Sequence, residues 1–557
     1  MKYRAHPPRF VKMDGRSLGY RAPLLWLVAP FMIGLVLGRS STWAPPIVQL
    51  LVALVLAAFA CIATWRVRRG WAPALVAALV LAGSASYPLH RSRLPDWDGL
   101  PPREAKLVLR VDRIFAQSNP QKATGLATVL EAHAPSRELG GQCLYFSLGL
   151  SRHELPPVRS AVISARGIVA PLPRQPPIDT FDGYLANAGM NFRLTRGRVL
   201  ATLQPAHPYY RFCARAAKRF EEILGSGVVA KRPAEIAVLR AMLLGQQHEL
   251  SDEQKQLFRE SGTMHMFSIS GLHIAVIATG LQALLSLLRF PRWVQYPAGL
   301  LLLWLYVDIT GAAPSAVRAF GMVALVQTAF VLRAPSNALS ALIASALVIL
   351  VIAPLQLFSA SFQMSYGIVA ALLLLGLPLS EAWQARWAPF RDLPEATWGW
   401  PRHAVAWLWR WTTTALALGL ASSLVGTVSG VLFFNLFTPG ALPINMVLIP
   451  AASLVILGGF ISLLCGLAGW TASSVLFNHA AVLLLCGIDR VVRWFLHLPA
   501  MWFEASFTQA WLGPASLAAL LGLIVFGYSQ RWELKRGGFW PPFAFVALVL
   551  IVGVKFG

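Results

Sequence analysis

From about Ile236 onward this chain is a nearly unbroken series of apolar runs, each of about 20 residues, the length at which a helix spans a bilayer. Roughly nine or ten crossings fit there, after a group of three at about Pro23 to Leu37, Trp43 to Thr64 and Trp71 to Tyr87. Composition removes the soluble globular alternative, since 56% of the residues are hydrophobic and only 13% charged. The expected fold class is a polytopic α-helical membrane protein of about 12 spans, some broken or re-entrant, with one small extracytoplasmic β domain.

Charge sets the expected orientation. The first run follows a basic leader containing Lys2, Arg4, Arg9, Lys12, Arg16 and Arg21. No small-x-small site follows it, so it reads as an uncleaved anchor. Arg66, Arg68 and Arg69 lie between the second and third runs, which places that loop and the N-terminus in the cytoplasm and residues of about 90–235 outside. Arg289, Arg292 and Arg333, the break from Glu381 to Arg410, and Arg531, Lys535 and Arg536 fit the same alternation.

Four domains are expected: a three-span group (1–89), a periplasmic β domain (90–205), a surface helix and linker (206–235) and the main membrane domain (236–557). In the second, Lys106 to Phe115 alternates, and shorter runs recur at Gly125 to Ala132, Gln142 to Leu150, Ala161 to Val169 and Arg193 to Leu203. Five short strands, with a helical patch from Phe181 to Ala188 before the last, suit a small OB-like barrel better than an Ig-like sandwich. Tyr209 to Leu224, with Arg and Lys on one side, reads as an amphipathic helix at the membrane surface.

A formal charge of +24 suits a polyanionic partner, anionic lipid, or both. Arg152, Arg166, Arg193, Arg196 and Arg198 in the β domain are candidates for phosphate contacts. Of the five cysteines, only Cys143 and Cys213 lie in the polar region, and their pairing requires an oxidising compartment.

Polar groups inside apolar runs are costly and tend to face a cavity or one another. Four runs carry them. Gly262 to Ile274 contains His265, Ser268, Ser270, Gly271 and His273, which together let a helix unwind toward a water-filled path or simply pack tightly. Asp308 to Ala319 has a Gly/Pro break; Asp308 reads as an interface residue and Arg318 as facing a cavity. Ser361 to Tyr366 presents Gln363 for interhelical hydrogen bonding or pore lining. Phe433 to Pro450, with Asn435 and Asn445, is too rich in Pro and Asn for an unbroken span and reads as re-entrant or kinked.

No zinc pattern and no P-loop occurs, so neither metal-dependent catalysis nor ATP hydrolysis is expected, and neither a metal nor a cofactor is assigned. A Ser268 or Ser270 nucleophile with His273 would make an intramembrane hydrolase, a reading that rests on residue type alone. No catalytic residue is assigned.

In order, SGTMHMFSISGLHI, TGAAPSAVRAF, SASFQMSYGIVAAL and LFTPGALPINMVLIP resemble the competence-domain blocks of the ComEC family, the inner-membrane channels of natural transformation. The resemblance covers about Ile236 to Gln530. Phe181 to Leu185, followed by Gly189, is similar to the segment closing that family's OB-like periplasmic domain. The resemblance implies that the outer domain receives DNA and that the membrane core passes a single strand inward. It also implies partners: a periplasmic DNA receptor, and a cytoplasmic motor or strand-trapping protein. Two departures stand out. Gln246 and Gln247 follow Gly245 where relatives often carry an acidic and a basic residue. Many relatives also end in a metallo-β-lactamase-like domain, whereas here only His479 and His497 lie beyond His403, so a separate nuclease is expected. The competing reading is a small-solute or lipid-precursor transporter with a similar core.

Overall fold

The computed structural model describes residues 22–557 except 41–43, 66–69, 92–93, 98, 120, 135, 152–153, 175, 179, 333–336 and 533–537. The basic leader, Arg66, Arg68, Arg69, Arg152, Arg333, Lys535 and Arg536 lie outside the described residues. Among the described residues, eight helices are long and apolar enough to cross a membrane, and four shorter ones are also apolar. The chain is a polytopic helical membrane protein with a small closed barrel.

The first group comprises α1 (Leu25–Ser40), α2 (Pro46–Trp65) and α3 (Trp71–His90). Small residues let them pack closely: a side chain at Gly34 or Gly83 would strike the facing helix's backbone.

The barrel follows, with β1 (Arg103–Phe115), β2 (Lys122–Ala132), β3 (Cys143–Gly149), β4 (Val162–Pro171), a short α4 (Phe181–Asn187) and β5 (Phe192–Gln204). The order β1-β2-β3-β5-β4 closes on itself, with β3 and β5 parallel and the other neighbours antiparallel. Closure removes every free edge, and alternate residues such as Leu107, Leu109, Phe146 and Leu194 fill the interior. All five strands overlap the runs read from alternation, and the helix precedes the last strand.

The strongly amphipathic α5 (Pro208–Gly225) leads to α6 (Pro233–Leu244), α7 (Asp252–Glu260), α8 (Gly271–Leu287), α9 (Arg292–Ile309) and α10 (Pro314–Val331). Next come α11 (Ala338–Ile352) and α12 (Ala360–Ala371), the latter running through a π turn into α13 (Leu377–Trp387). The 35-residue α14 (Trp400–Phe434), strand β6 (Leu436–Phe437), α15 (Ala441–Leu467) and α16 (Thr471–Leu496) follow. Strand β7 (Phe503–Phe507), α17 (Leu512–Ser529), α18 (Trp540–Gly553) and β8 (Val554–Phe556) complete the described chain.

These helices form two separately cored bodies. One buries residues of α5 to α10 with α15 and α16, such as Leu239, Ile277, Tyr306 and Ile456. The other buries residues of α1, α11, α12 with its π turn, α14, α17 and α18, such as Leu350, Tyr366, Val425 and Ile524. The bodies also pack on one another: α10 lies against α11 and α12, with Met322 reaching the second cluster, and α15 lies against α14, where Leu442 meets Gly419.

The run from Phe433 to Pro450, read as re-entrant or kinked, is broken near its start and helical after it. Asn435 takes the left-handed conformation (φ 54°) and ends α14, β6 follows, and α15 runs through both Pro443 and Pro450. Asn tolerates that backbone better than most residues, which explains its place there. The Cys143–Cys213 disulfide is corrected, since both thiols are free. Cys143 packs beside the barrel and Cys213 is buried with the membrane helices, so they belong to different clusters. Burial raises the Cys143 thiol's pKa, which keeps it protonated and unreactive.

Candidate functional site

The four polar runs converge. In the first, a 3₁₀ turn (Met264–Phe267) and an extended Ser268–Ser270 stretch replace the helix before α8 begins at Gly271. Ile269 presents its carbonyl to Ser315 Oγ, on the first turn of α10, at 2.7 Å, which joins the first run to the second. One turn on, Arg318 donates from Nη2 to the Ser361 carbonyl at 2.8 Å and also to the Ser361 hydroxyl, joining the second run to the third. Gly262 joins the first run to the fourth. Its φ is +69°, and an added Cβ would stand 2.9 Å from both Ala441 Cβ and Thr438 Oγ1, so the close approach requires glycine.

Arg318 is 2% exposed and crosses from one cored body to the other, because α10 belongs to the first and α12 to the second. Among the described residues its Nε and Nη1 have no hydrogen-bond partner, and His273 Nε2 makes no hydrogen bond of good geometry, although the imidazole interacts with the Met266 backbone. Buried polar groups are normally satisfied, so orphans gathered along linked segments mark groups available to something not bound. Beside them, Gly271 is exposed and a Cβ there would meet nothing, while Ser361 is exposed although it covers a buried guanidinium. The seam thus has accessible backbone over buried donors.

His273 is 1% exposed, and its Nδ1 accepts from the Ser270 amide (3.3 Å) and faces the Ser270 hydroxyl (2.8 Å). The amide bond assigns Nδ1 as acceptor and leaves the ring proton on Nε2, the orphan. Ser270 and His273 therefore form a helix-start capping pair. A nucleophile–base pair would call for a third group orienting the imidazole, and among the described residues Nε2 has none.

Of the other candidates, His265 Nδ1 lies 3.3 Å from the Gly262 carbonyl, and Ser268 donates back to His265 O. Gln363 donates to the Leu357 carbonyl at 3.0 Å, holding the turn before α12. Asn435 accepts from the Ala505 amide through its carbonyl, a structural bond to β7. Asn445 is half-buried in α15 with Oδ1 unpartnered.

The barrel sits on the end of the bundle that carries these joints. Asp308, with its side chain 4% exposed, takes Arg159 Nη1 at 3.2 Å and the Tyr209 hydroxyl at 2.7 Å. Asp308, read as an interface residue, stands at the end of α9 and there latches barrel loop, α5 and α9 together. This contact also raises the Tyr209 phenol's pKa, after the larger effect of burial. Asn187 donates to Phe358 O at 3.0 Å, and Ser118 donates to His248 O at 2.9 Å. Gln247, beside that last contact, donates to Phe267 O at 3.0 Å and steadies the break before α8.

On the barrel, Lys106, Arg166 and Arg198 are directly paired across β1, β4 and β5, and all three are exposed. Like charges opposite one another oppose sheet formation, so the row is a cost to folding unless an anion is met there. Glu104 offsets part of it by gripping Arg166 at 2.7 and 3.0 Å, which raises that guanidinium's pKa. Arg193 is held by Asp182 at 2.7 Å, and Arg196 is exposed at φ 50°. Arg166 and Arg193 are thus ion-paired, Arg196 and Arg198 stand exposed, and Arg152 is not described.

The family described as "Competence protein" matches residues 242–531, just over half of the chain. The chain belongs to the competence protein family. It is also 31% identical over 142 residues to "ComE operon protein 3" of Bacillus subtilis (strain 168), an alignment covering 26% of this chain. The chain spans 18% of that relative's length in the match. No solved structure matches. The competence match encloses all four joined runs and Asp308, and begins after the barrel. Sequence reading missed Asp308, Ser315, Ser361 and Gln247 as working residues; Ser315 and Ser361 lie inside the resembling blocks, which was the available signal.

Proposed function

We propose that this protein is an inner-membrane conduit for the uptake of single-stranded DNA, without catalytic activity of its own. The observation that carries the reading is the seam: two separately cored helical bodies are bridged by Arg318, on the helix that the Ser315–Ile269 bond ties to the broken start of α8, beneath a barrel with an exposed basic row. The barrel, outside the cytoplasm, collects the strand through Lys106, Arg166 and Arg198, and the strand enters between the bodies past Arg318 and His273 Nε2. A phosphate moving inward against an inside-negative potential costs about 2.3 kcal/mol per 100 mV. A cytoplasmic protein therefore pulls or traps the strand, a receptor outside delivers it, and a separate nuclease removes the complementary strand.

Removing the gene and following labelled DNA tests this, with surface-bound and cytoplasmic label counted separately. Binding is expected to persist and entry to disappear; normal entry would refute the conduit. A small-solute transporter would instead leave DNA entry intact.

A second test addresses the basic row. Single-strand binding by the whole protein is expected to weaken steeply with salt, and Lys106→Gln, Arg166→Gln and Arg198→Gln together should reduce the log–log salt slope by about 2, near 0.7 per lost phosphate contact. A flat salt response in the unaltered protein would remove electrostatic collection from the account.

A further inference from the structure

The helix α5 has a basic surface that the conduit does not use. Cys213, Phe220, Ile223 and Leu224 are buried in the first body, while Arg211, Arg215, Lys218 and Arg219 lie exposed on the other side. Arg219 lies 3.3 Å from Glu222, an exposed pair that contributes little.

Between α5, the outer turns of α9 and the end of α15 lies a groove of about 420 Å³. Phe220, Leu305, Ile309 and Leu467 make its apolar floor, and Arg215 and Arg219 stand at its rim. Its surroundings fix its depth. Leu301, one turn along α9, is 70% exposed, as a lipid-facing residue of a membrane helix would be. Trp470, three residues after Leu467, is 67% exposed, and exposed tryptophan is characteristic of the headgroup level. The groove therefore bridges acyl and headgroup regions, with apolar surface on the first side and guanidinium groups on the second.

We propose that this groove binds one anionic diacyl phospholipid, with Arg215 and Arg219 on its phosphate and the apolar floor against the upper part of its acyl chains. Guanidinium suits a phosphate because its forked donors meet two oxygens at once. Nucleic acid is the poorer occupant, because its phosphates gain nothing from an apolar floor and the exposed row on the barrel offers them a polar one. The bound lipid would tie α5, which carries Tyr209 of the barrel latch, to the membrane body at a fixed depth. This inference does not rest on DNA conduction.

The experiment uses the full-length protein in mild detergent, given equal phosphatidylglycerol and phosphatidylcholine, with retained lipid counted by native mass spectrometry. Preferential retention of phosphatidylglycerol is expected, and Arg215→Glu should lower it roughly fivefold, the equivalent of about 1 kcal/mol for a basic residue at a lipid surface. Leu305→Trp, which fills the floor and leaves both arginines in place, should lower retention of phosphatidylglycerol as well. Gel filtration shows whether each variant is folded, and Arg215→Lys should restore part of the preference if a variant loses it through charge alone. Equal retention of the two lipids by the unaltered protein would overturn the proposal. So would displacement of bound phosphatidylglycerol by an oligo-dT strand, which would assign the surface to nucleic acid.

Discussion

Replacing Arg318 with alanine is expected to reduce DNA entry by about 10- to 100-fold while leaving DNA bound at the cell surface unchanged, the loss matching hydrogen bonds from a charged donor worth about 1.5–3 kcal/mol. The guanidinium is fully enclosed yet spends only Nη2 on protein, at Ser361. Burying a cation with two donors unpaired is unfavourable for stability alone, so the arrangement is one that favours an anion arriving in the seam. Alanine removes both the bridge to α12 and the free donors. Lysine keeps the charge but loses the planar fork, so Arg318→Lys should fall between alanine and the unaltered protein. Cytoplasmic label per cell, normalised to membrane-inserted protein, is the measurement. Unchanged entry in the alanine variant would sink the role, whereas loss of inserted protein would show that Arg318 serves folding.

The second large effect belongs to Asp308. Asp308→Ala should release the barrel from α9 at a cost of about 2 kcal/mol, since it removes charged hydrogen bonds to Tyr209 and Arg159 together. Arg159 is 41% exposed, so solvent screens its share and the Tyr209 bond dominates. Asp308→Asn retains an acceptor for Tyr209 and should lose less. Amide hydrogen exchange reads this directly: faster exchange is expected in the first turn of α5 and around Arg159, with the barrel strands unchanged. Identical exchange in the alanine variant would mean that Asn187 and Ser118 hold the barrel without the latch.

The barrel was legible because alternation is a local property. Lys106 to Phe115 announces its faces without reference to any other segment, and closure of five strands follows from having no edge exposed. The joints of the seam were not legible in the same way. Ser315 bonding Ile269, or Arg318 bonding Ser361, joins residues far apart in sequence by a single hydrogen bond, and no periodicity records that. What could be seen was the cost of each polar break taken singly; what pairs with what depends on tertiary packing. Asn435 and Pro450 show how far a local signal reaches. Their Pro- and Asn-rich neighbourhood read as broken, and the break falls at Asn435 alone, whereas α15 accommodates Pro450 within its length because a membrane helix can absorb one missing donor.

The three-stranded sheet of β6, β7 and β8 also bears on the seam. The chain leaves α14, in the second body, through β6, builds the α15–α16 hairpin into the first body, and returns to α17 through β7. Because β6 pairs with β7 and β7 with β8, the hairpin is bound along one edge like a leaf sewn into a spine. Each body keeps its own core, and the opposite margin is held by side-chain packing of α10 on α11 and α12 and by the Arg318–Ser361 bond, with no strand pairing. In the proposed conduit the sewn edge is therefore the fixed margin, and room for a strand would have to open on the α10 side, at the Arg318–Ser361 bond.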